Sequence, residues 1–313
     1  MKKVNVAVVG YGHLGRWHTQ KAAGLENANL VAVVEPFNQT AVKEAYPNIK
    51  VVADIKEVMN EIDAAIIVTP TSTHFELTSL LLENNKHVFC EKPLCATYDE
   101  VVLLADKVGD KVLQVGHSER CHQAWELLSD KFAAITGKRT FKIDRFAPFK
   151  GRATDVDVVQ DLMIHDLDLM LYILKMSPVS VSAIGHKIIT SKWDHVTATF
   201  SFEDGSEAII TSGRNHVKEV RALEVMSDSG CIYVDLFANK IYEGSSSKFD
   251  DDTFVKESNY EKRDHLLIEQ EQFYHSILNN SAPVVNYDDG AKAVFLVSKV
   301  MESLDKSERV SLK

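Results

Sequence analysis

The chain has 313 residues, enough for two domains that each bury a sizeable core. Its hydrophobic fraction of 45% and charged fraction of 26% are those of an ordinary globular protein, and no apolar run reaches membrane-spanning length. A net charge of −10 argues against a general affinity for nucleic acid or for anionic membrane.

Val4 to Val9 is a short apolar run with the length of a strand buried on both faces. Gly10-Tyr11-Gly12-His13-Leu14-Gly15 follows, then a helical pattern to about Ala23 and a second apolar run, Leu30 to Val34, that ends at Glu35. In this register Gly10 makes a tight turn, Gly12 lets backbone approach a pyrophosphate, and Gly15 packs helix on strand. The helix N-terminus offers N–H groups to the pyrophosphate. Glu35 falls 20 residues past Gly15, where a carboxylate accepts from an adenosine ribose 2′-hydroxyl. The stretch predicts a dinucleotide site. With no arginine in Pro36-Phe37-Asn38-Gln39 to receive a 2′-phosphate, the expected cofactor is NAD.

Helix and strand patterns then alternate. Gln39 to Tyr46 reads as a helix and Lys50 to Ala53 as a strand, with Asp54 capping a helix to about Asn60. Asp63 to Val68 is a buried strand running into Thr69-Pro70-Thr71-Ser72-Thr73-His74, with a helix to Asn84 beyond it. Lys86 to Cys90 is a strand followed by Glu91-Lys92-Pro93, a helix from Thr97 to Val108, and the strand Lys111 to Val115. This alternation predicts a doubly wound parallel sheet. Glu35, Thr69 to His74, Glu91 to Pro93 and Gly116 to Arg120 all lie at strand carboxyl ends, where such sheets bind ligands.

The pattern changes near residue 120. A linking helix, Cys121 to Phe132, leads to candidate strands at Phe141 to Phe146, Val179 to Ile189, His195 to Phe202, Ser206 to Ser212, Ala222 to Met226, Cys231 to Leu236 and Lys240 to Glu243. Phe249 to Glu261 is acid-rich and reads as an exposed loop, and Asp264 to Asn279 and Asp288 to Leu304 as helices. The expected organisation is a Rossmann domain over 1–120 and an α/β domain with a large, open, mainly antiparallel sheet over 121–313. An open sheet needs cover, so a homodimer or homotetramer through that face is expected.

Between the first two of these strands, Val156 to Leu174 is a strongly apolar helix carrying Asp161, His165 and Asp168 at i, i+4 and i+7, on one face. Spacing alone leaves three readings: a satisfied core histidine, an aspartate–histidine metal pair without a clear third ligand, or a general base oriented by a carboxylate. Ahead of it, Lys138 to Arg152 holds six basic residues against one acidic. That balance suits a phosphate- or carboxylate-bearing substrate or a solvated strand face.

The four cysteines show no C-x-x-C pair and no metal-ligand spacing with histidine. No metal is expected, and the thiols read as reduced in a cytoplasmic protein. Met1-Lys2-Lys3 leads straight into the first strand, so no secretory leader is expected.

The glycine motif with Glu35, Thr69-Pro70…His74 and Glu91-Lys92-Pro93 together resemble the Gfo/Idh/MocA oxidoreductases, and Asp161-x-x-x-His165 extends the match across the chain. The resemblance implies a dinucleotide-binding domain paired with an open-sheet α/β domain. It implies that Lys92, His165 and Asp161 are catalytic. Lys92 would bond to a reacting hydroxyl or relay its proton, His165 would be the base, and Asp168 a structural partner. Cofactor contacts are expected from Gly10, Gly12, His13, Leu14, Gly15, Glu35, Thr69, Pro70, His74, Glu91 and Lys92. Gly116 to Arg120, the basic stretch and Arg152 to Asp161 are similar to one branch that oxidises the 3-hydroxyl of UDP-N-acetylglucosamine for amino-sugar and lipopolysaccharide synthesis. That likeness implies a UDP-sugar substrate held by Arg120, Arg145 and Arg152. Cys121 departs from it, standing where an aromatic residue is expected. The alternatives are a free polyol such as an inositol, which would not need the basic stretch, and a catalytically silent NAD-binding sensor.

Overall fold

In the computed structural model, which describes residues 2–151, 153–245 and 255–313, the chain divides into two units. The first comprises 1–121 and 264–294, the second 122–263 and 295–313. No helix among the described residues is long and apolar enough to cross a membrane.

The first unit carries six strands: β1 (Val4–Val9), β2 (Ala28–Val34), β3 (Lys50–Val52), β4 (Ala64–Ile67), β5 (His87–Glu91) and β6 (Leu113–Gly116). All pair in parallel, in the order β3-β2-β1-β4-β5-β6. The connections include helices α1 (His13–Gly24), α2 (Gln39–Ala45), α3 (His74–Glu83) and α4 (Tyr98–Val108). The apolar runs are continuous because both faces of the sheet are covered; every residue of β4 is buried. The strand order reverses between β1 and β4, which places the ligand crevice beyond their carboxyl ends. Capping boxes at Asp54/Glu57 and Thr97/Glu100 start the segments that the sequence placed there. The first of these closes as a short 3-10 turn, Ile55–Val58, rather than as the longer helix expected.

In the second unit, α5 (Gln123–Ala134) precedes β7 (Thr140–Phe146), and a π-helical turn, Val159–Met163, runs into α6 (Ile164–Leu174). The remaining strands are β8 (Ser180–His186), β9 (His195–Ser201), β10 (Glu207–Gly213), β11 (Val220–Ser227), β12 (Gly230–Asp235), β13 (Lys240–Ser245), β14 (Val255–Asn259) and β15 (Val310–Ser311). They form one nine-stranded sheet, β14-β13-β12-β11-β7-β10-β9-β8-β15. It is antiparallel except for β7 on β10, which makes it mixed at its centre. Alternation is clean: Val196, Ala198 and Phe200 of β9 are buried, while the residues between them are half-buried.

Helices α7 (His265–Asn279) and α8 (Tyr287–Lys306) follow β14 in the chain. Phe273 and Tyr274 of α7 join the core formed by Val4, Val6 and Val8. Residues 264–294 therefore belong to the first unit, whereas the sequence assigned everything after 120 to the second. The expected loop Phe249 to Glu261 is also revised: 255–259 form the edge strand β14, and 249–254 lie outside the described residues.

Candidate active site

The candidate residues fall into two groups, one in each unit. In the first, the turn after β1 is dictated by close backbone approach. Gly10 has φ +98°, and a Cβ there would lie 2.6 Å from the Val68 carbonyl oxygen. A Cβ on Gly15 would lie 2.3 Å from the carbonyl oxygen of Gly10, so Gly15 seats α1 on the turn itself. Gly12 differs, because nothing in the protein lies within 4 Å of where its Cβ would be. Its bareness keeps open the space in front of α1, whose first residues are His13 and Leu14.

Beyond that turn lies a cavity of about 990 Å³ lined by Gly10, Gly12, Glu35, Phe37, Thr69 and Pro70, among others. Burial alone would raise the Glu35 pKa. Three backbone donors outweigh it: Phe37 N at 2.8 Å and Asn38 N at 3.0 Å on Oε1, and Tyr11 N at 3.1 Å on Oε2. The carboxylate is held below its ordinary range and is ionised at neutral pH. Phe37, read from the sequence only as offering no arginine to a 2′-phosphate, is 94% exposed at the cavity rim. Thr73 lies in the loop that the sequence places at this crevice. Its hydroxyl is 2.7 Å from that of Thr69 and donates to the Pro70 carbonyl, which shapes the loop after β4.

These groups fit a dinucleotide. The open space at Gly12 and the α1 N-terminus would take the pyrophosphate, and the ionised Glu35 would take the adenosine ribose.

The other expected residues of this unit have partners within the protein. His74 is 1% exposed, and both ring nitrogens face carbonyl oxygens, Nδ1 that of Pro93 at 2.7 Å and Nε2 that of Thr69 at 3.0 Å. It straps the loop after β4 to the segment after β5. Glu91 is buried and turned inward, with Oε1 2.8 Å from His18 Nε2 and Oε2 accepting the Lys92 backbone N–H at 3.2 Å. Lys92 is half-buried and joined to Pro93 by a cis peptide bond. Arg120 pairs with Asp289 at 3.2 Å and donates to the Val284 carbonyl at 3.3 Å, so it braces 284–289 within the same unit.

In the second unit the expected single helix is divided. Asp161 stands in the π turn and His165 at the start of α6, both half-buried, whereas Asp168 is wholly buried. His165 and Asp168, three apart within α6, keep one face, and Asp161 precedes them in the π turn. π turns recur at functional sites in helices. The residue that the sequence did not single out is Asp166. Its buried carboxylate takes Nε of Arg145 at 2.9 Å and Nη2 at 2.7 Å. A small cavity of about 80 Å³ brings Arg145 and Asp161 together with Phe149, Lys150, Arg214 and Arg221. Arg221 of β11 lies opposite Arg145 of β7, a pairing invisible before the register was known. Arg214 is buried on Asp194 at 2.8 Å and donates to the carbonyls of Ala153 and Val156, fixing the approach to the π turn. Arg152 lies outside the described residues.

A family model described as an oxidoreductase family with an NAD-binding Rossmann fold matches residues 4–117, and that of the GFO/IDH/MocA C-terminal domain matches residues 139–233. The chain belongs to the Gfo/Idh/MocA family. It is an NAD-binding oxidoreductase of that family. Among Gfo/Idh/MocA relatives, a UDP-N-acetylglucosamine 3-dehydrogenase from Acidithiobacillus ferrooxidans is 32% identical, over 88% of this chain and 90% of its own. A scyllo-inositol 2-dehydrogenase (NAD(+)) from Bacillus subtilis is 29% identical, over 90% and 89%. A solved structure of the Acidithiobacillus ferrooxidans enzyme superposes with a TM-score of 0.88, covering 98% of this chain and 99% of that one at 29% identity.

Proposed function

We propose that the protein oxidises the 3-hydroxyl of a UDP-linked N-acetylglucosamine, within amino-sugar or lipopolysaccharide synthesis. The observation that carries this reading is the cavity beside Asp161, bordered by Arg145, Lys150, Arg214 and Arg221. Four cations line this one cavity; Arg145, Arg214 and Lys150 also meet Asp166, Asp194 and Glu219, and guanidinium groups are natural partners of a diphosphate. The similarity to the 3-dehydrogenase, over nearly the whole of both chains, points the same way.

Bound NAD would supply the hydride acceptor. The remaining roles are assigned residue by residue from the family motif. His165 takes the proton of the reacting hydroxyl, and Asp161 orients the imidazole. Lys92, presented by the end of β5, hydrogen-bonds to the reacting oxygen. Arg145 positions its surroundings through Asp166, while Lys150, Arg221 and Arg152 are the candidate diphosphate contacts.

The test is purified protein with NAD, offered UDP-N-acetylglucosamine and, separately, scyllo- and myo-inositol, with reduced cofactor followed by absorbance. Turnover of the nucleotide sugar supports the reading. Ready oxidation of an inositol with no action on the nucleotide sugar overturns the substrate and leaves the dehydrogenase. No turnover of any sugar, with NAD bound, would favour a sensor. For assembly, exposed Ile184, Met226 and Tyr233 on the open sheet face support a homodimer or homotetramer through that face, which light scattering will decide.

A further inference from the structure

Beneath the segment that presents Lys92, the first unit buries three titratable side chains. His18 of α1, Glu91 of β5 and Glu269 of α7 each offer an atom to one small volume, and these atoms all lie within 4.8 Å of one another. His18 is 0% exposed and Glu269 3%. The hydrogen bonds assign the protons. Gln270 Oε1 accepts from the Tyr274 hydroxyl, so its amide nitrogen donates, at 2.8 Å to His18 Nδ1 and at 3.1 Å to the His18 carbonyl. The imidazole N–H is therefore on Nε2 and is donated to Glu91. Glu91 also accepts from the Lys92 backbone and is doubly supplied with donors. Glu269 has none: neither carboxyl oxygen meets a hydrogen-bond partner.

Two carboxylates this close in a dry interior cannot both be ionised, and the one without donors keeps the proton. Burial pushes the Glu269 carboxyl well up from its ordinary range, with further contributions from Glu91 and from Asp264, itself paired with Lys21. Around Glu269 stand His18 from α1, Glu91 from β5, Asp264 just before α7, and Tyr274 one turn further along α7.

We propose that Glu269 is carried as the neutral acid, leaving Glu91 to hold both His18 and the Lys92 backbone in place. Glu269 is then a positioning residue for Lys92, an inference that rests on the role proposed above for that lysine. Loss of its proton puts a second anion beside Glu91 and draws Glu91 away from the Lys92 N–H.

Infrared spectra of the full-length protein with NAD test the proton directly. The carbonyl stretch of a protonated carboxyl should be present at neutral pH and absent in Glu269→Gln; identical spectra in that band overturn the proposal. Thermal unfolding gives a second readout. The folded-state pKa lies above the ordinary 4.5, so the stability this proton contributes is full below that value and declines as pH rises towards the folded one. The variant lacks the decline, so its melting temperature should gain on the parent with rising pH; a gap independent of pH overturns the proposal. A divalent metal retained stoichiometrically by the parent and lost from the variant would replace the proton by an ion and overturn it too. The positioning role is read from turnover. The alkaline loss of turnover from this group should be present in the parent and removed in Glu269→Gln, and an unchanged alkaline limb rejects that role. If no sugar is turned over, the proposed reaction fails, and the infrared and melting measurements still decide the state of Glu269.

Discussion

Arg145 and Asp166 form a buried ion pair in which two guanidinium nitrogens meet the carboxylate, at 2.9 and 2.7 Å, with 6% and 0% of their side chains exposed. The pair ties β7 to α6 at the helix that carries His165. Removing one partner leaves the other charged in a dry core. Asp166→Asn should therefore cost the protein about 3–5 kcal/mol, measured by urea unfolding. Arg145→Ala should cost a similar amount. If Arg145→Ala unfolds at the parent's urea midpoint while raising the KM for a nucleotide sugar, Arg145 is a substrate contact and not a strut.

The glycines separate packing from ligand binding. Gly15→Ala would normally favour a helix by roughly 1 kcal/mol, but its methyl group would meet backbone at 2.3 Å. The clash dominates, and stability should fall by about 1–3 kcal/mol. Gly12→Ala meets nothing in the protein, so its stability should stay within about 0.5 kcal/mol of the parent while NAD affinity drops. Calorimetric titration and thermal melts of the two variants read this contrast.

Glu35→Ala should weaken NAD by about 1.5–3 kcal/mol, the value of a lost charged hydrogen bond. The unmodified protein should bind NAD more tightly than NADP, because an ionised carboxylate repels a 2′-phosphate. The Glu35 pKa is lowered on folding, so its contribution to stability is complete above the ordinary value of 4.5 and is lost as pH falls through the folded value. A melting difference between parent and Glu35→Gln that shrinks on acidification is the expected signature.

Lys92→Ala and His165→Ala should each reduce turnover about a hundredfold or more, with NAD binding nearly intact. Together they should lose less than the sum if the two act as a unit. Near-parental activity in His165→Ala would remove it from the base role.

The parts of this protein that were legible in its sequence are those set by local rules. Val4 to Glu35 shows its strand, turn, helix and strand through periodicity and glycine spacing, and the caps at Asp54 and Thr97 stand where the residue types put them. What stayed hidden depends on partners distant in the chain. Asp166 reads as one acid among several until β7 brings Arg145 to it. Nothing local reveals that Asp289 lies beside Arg120, and Glu269 is an ordinary helical glutamate until α7 lies on the Rossmann core. Charge counts over Lys138 to Arg152 could not reveal that Arg145 is already neutralised. The π turn at Val159–Met163 has no compositional signature at all.

That turn has a consequence for how such a helix can diverge. It contains one residue more than an α-helical path needs, while α6 beyond it is anchored by Asp166 on Arg145. Dropping a single residue between 159 and 163 would let the segment close as ordinary α-helix. The chain on either side would keep its place, and only the residues of the turn itself would be re-aimed. Asp161 would be re-aimed relative to His165 without any change of side chain. Insertions and deletions, more than substitutions, are thus the means by which this fold can revise the partner of its imidazole.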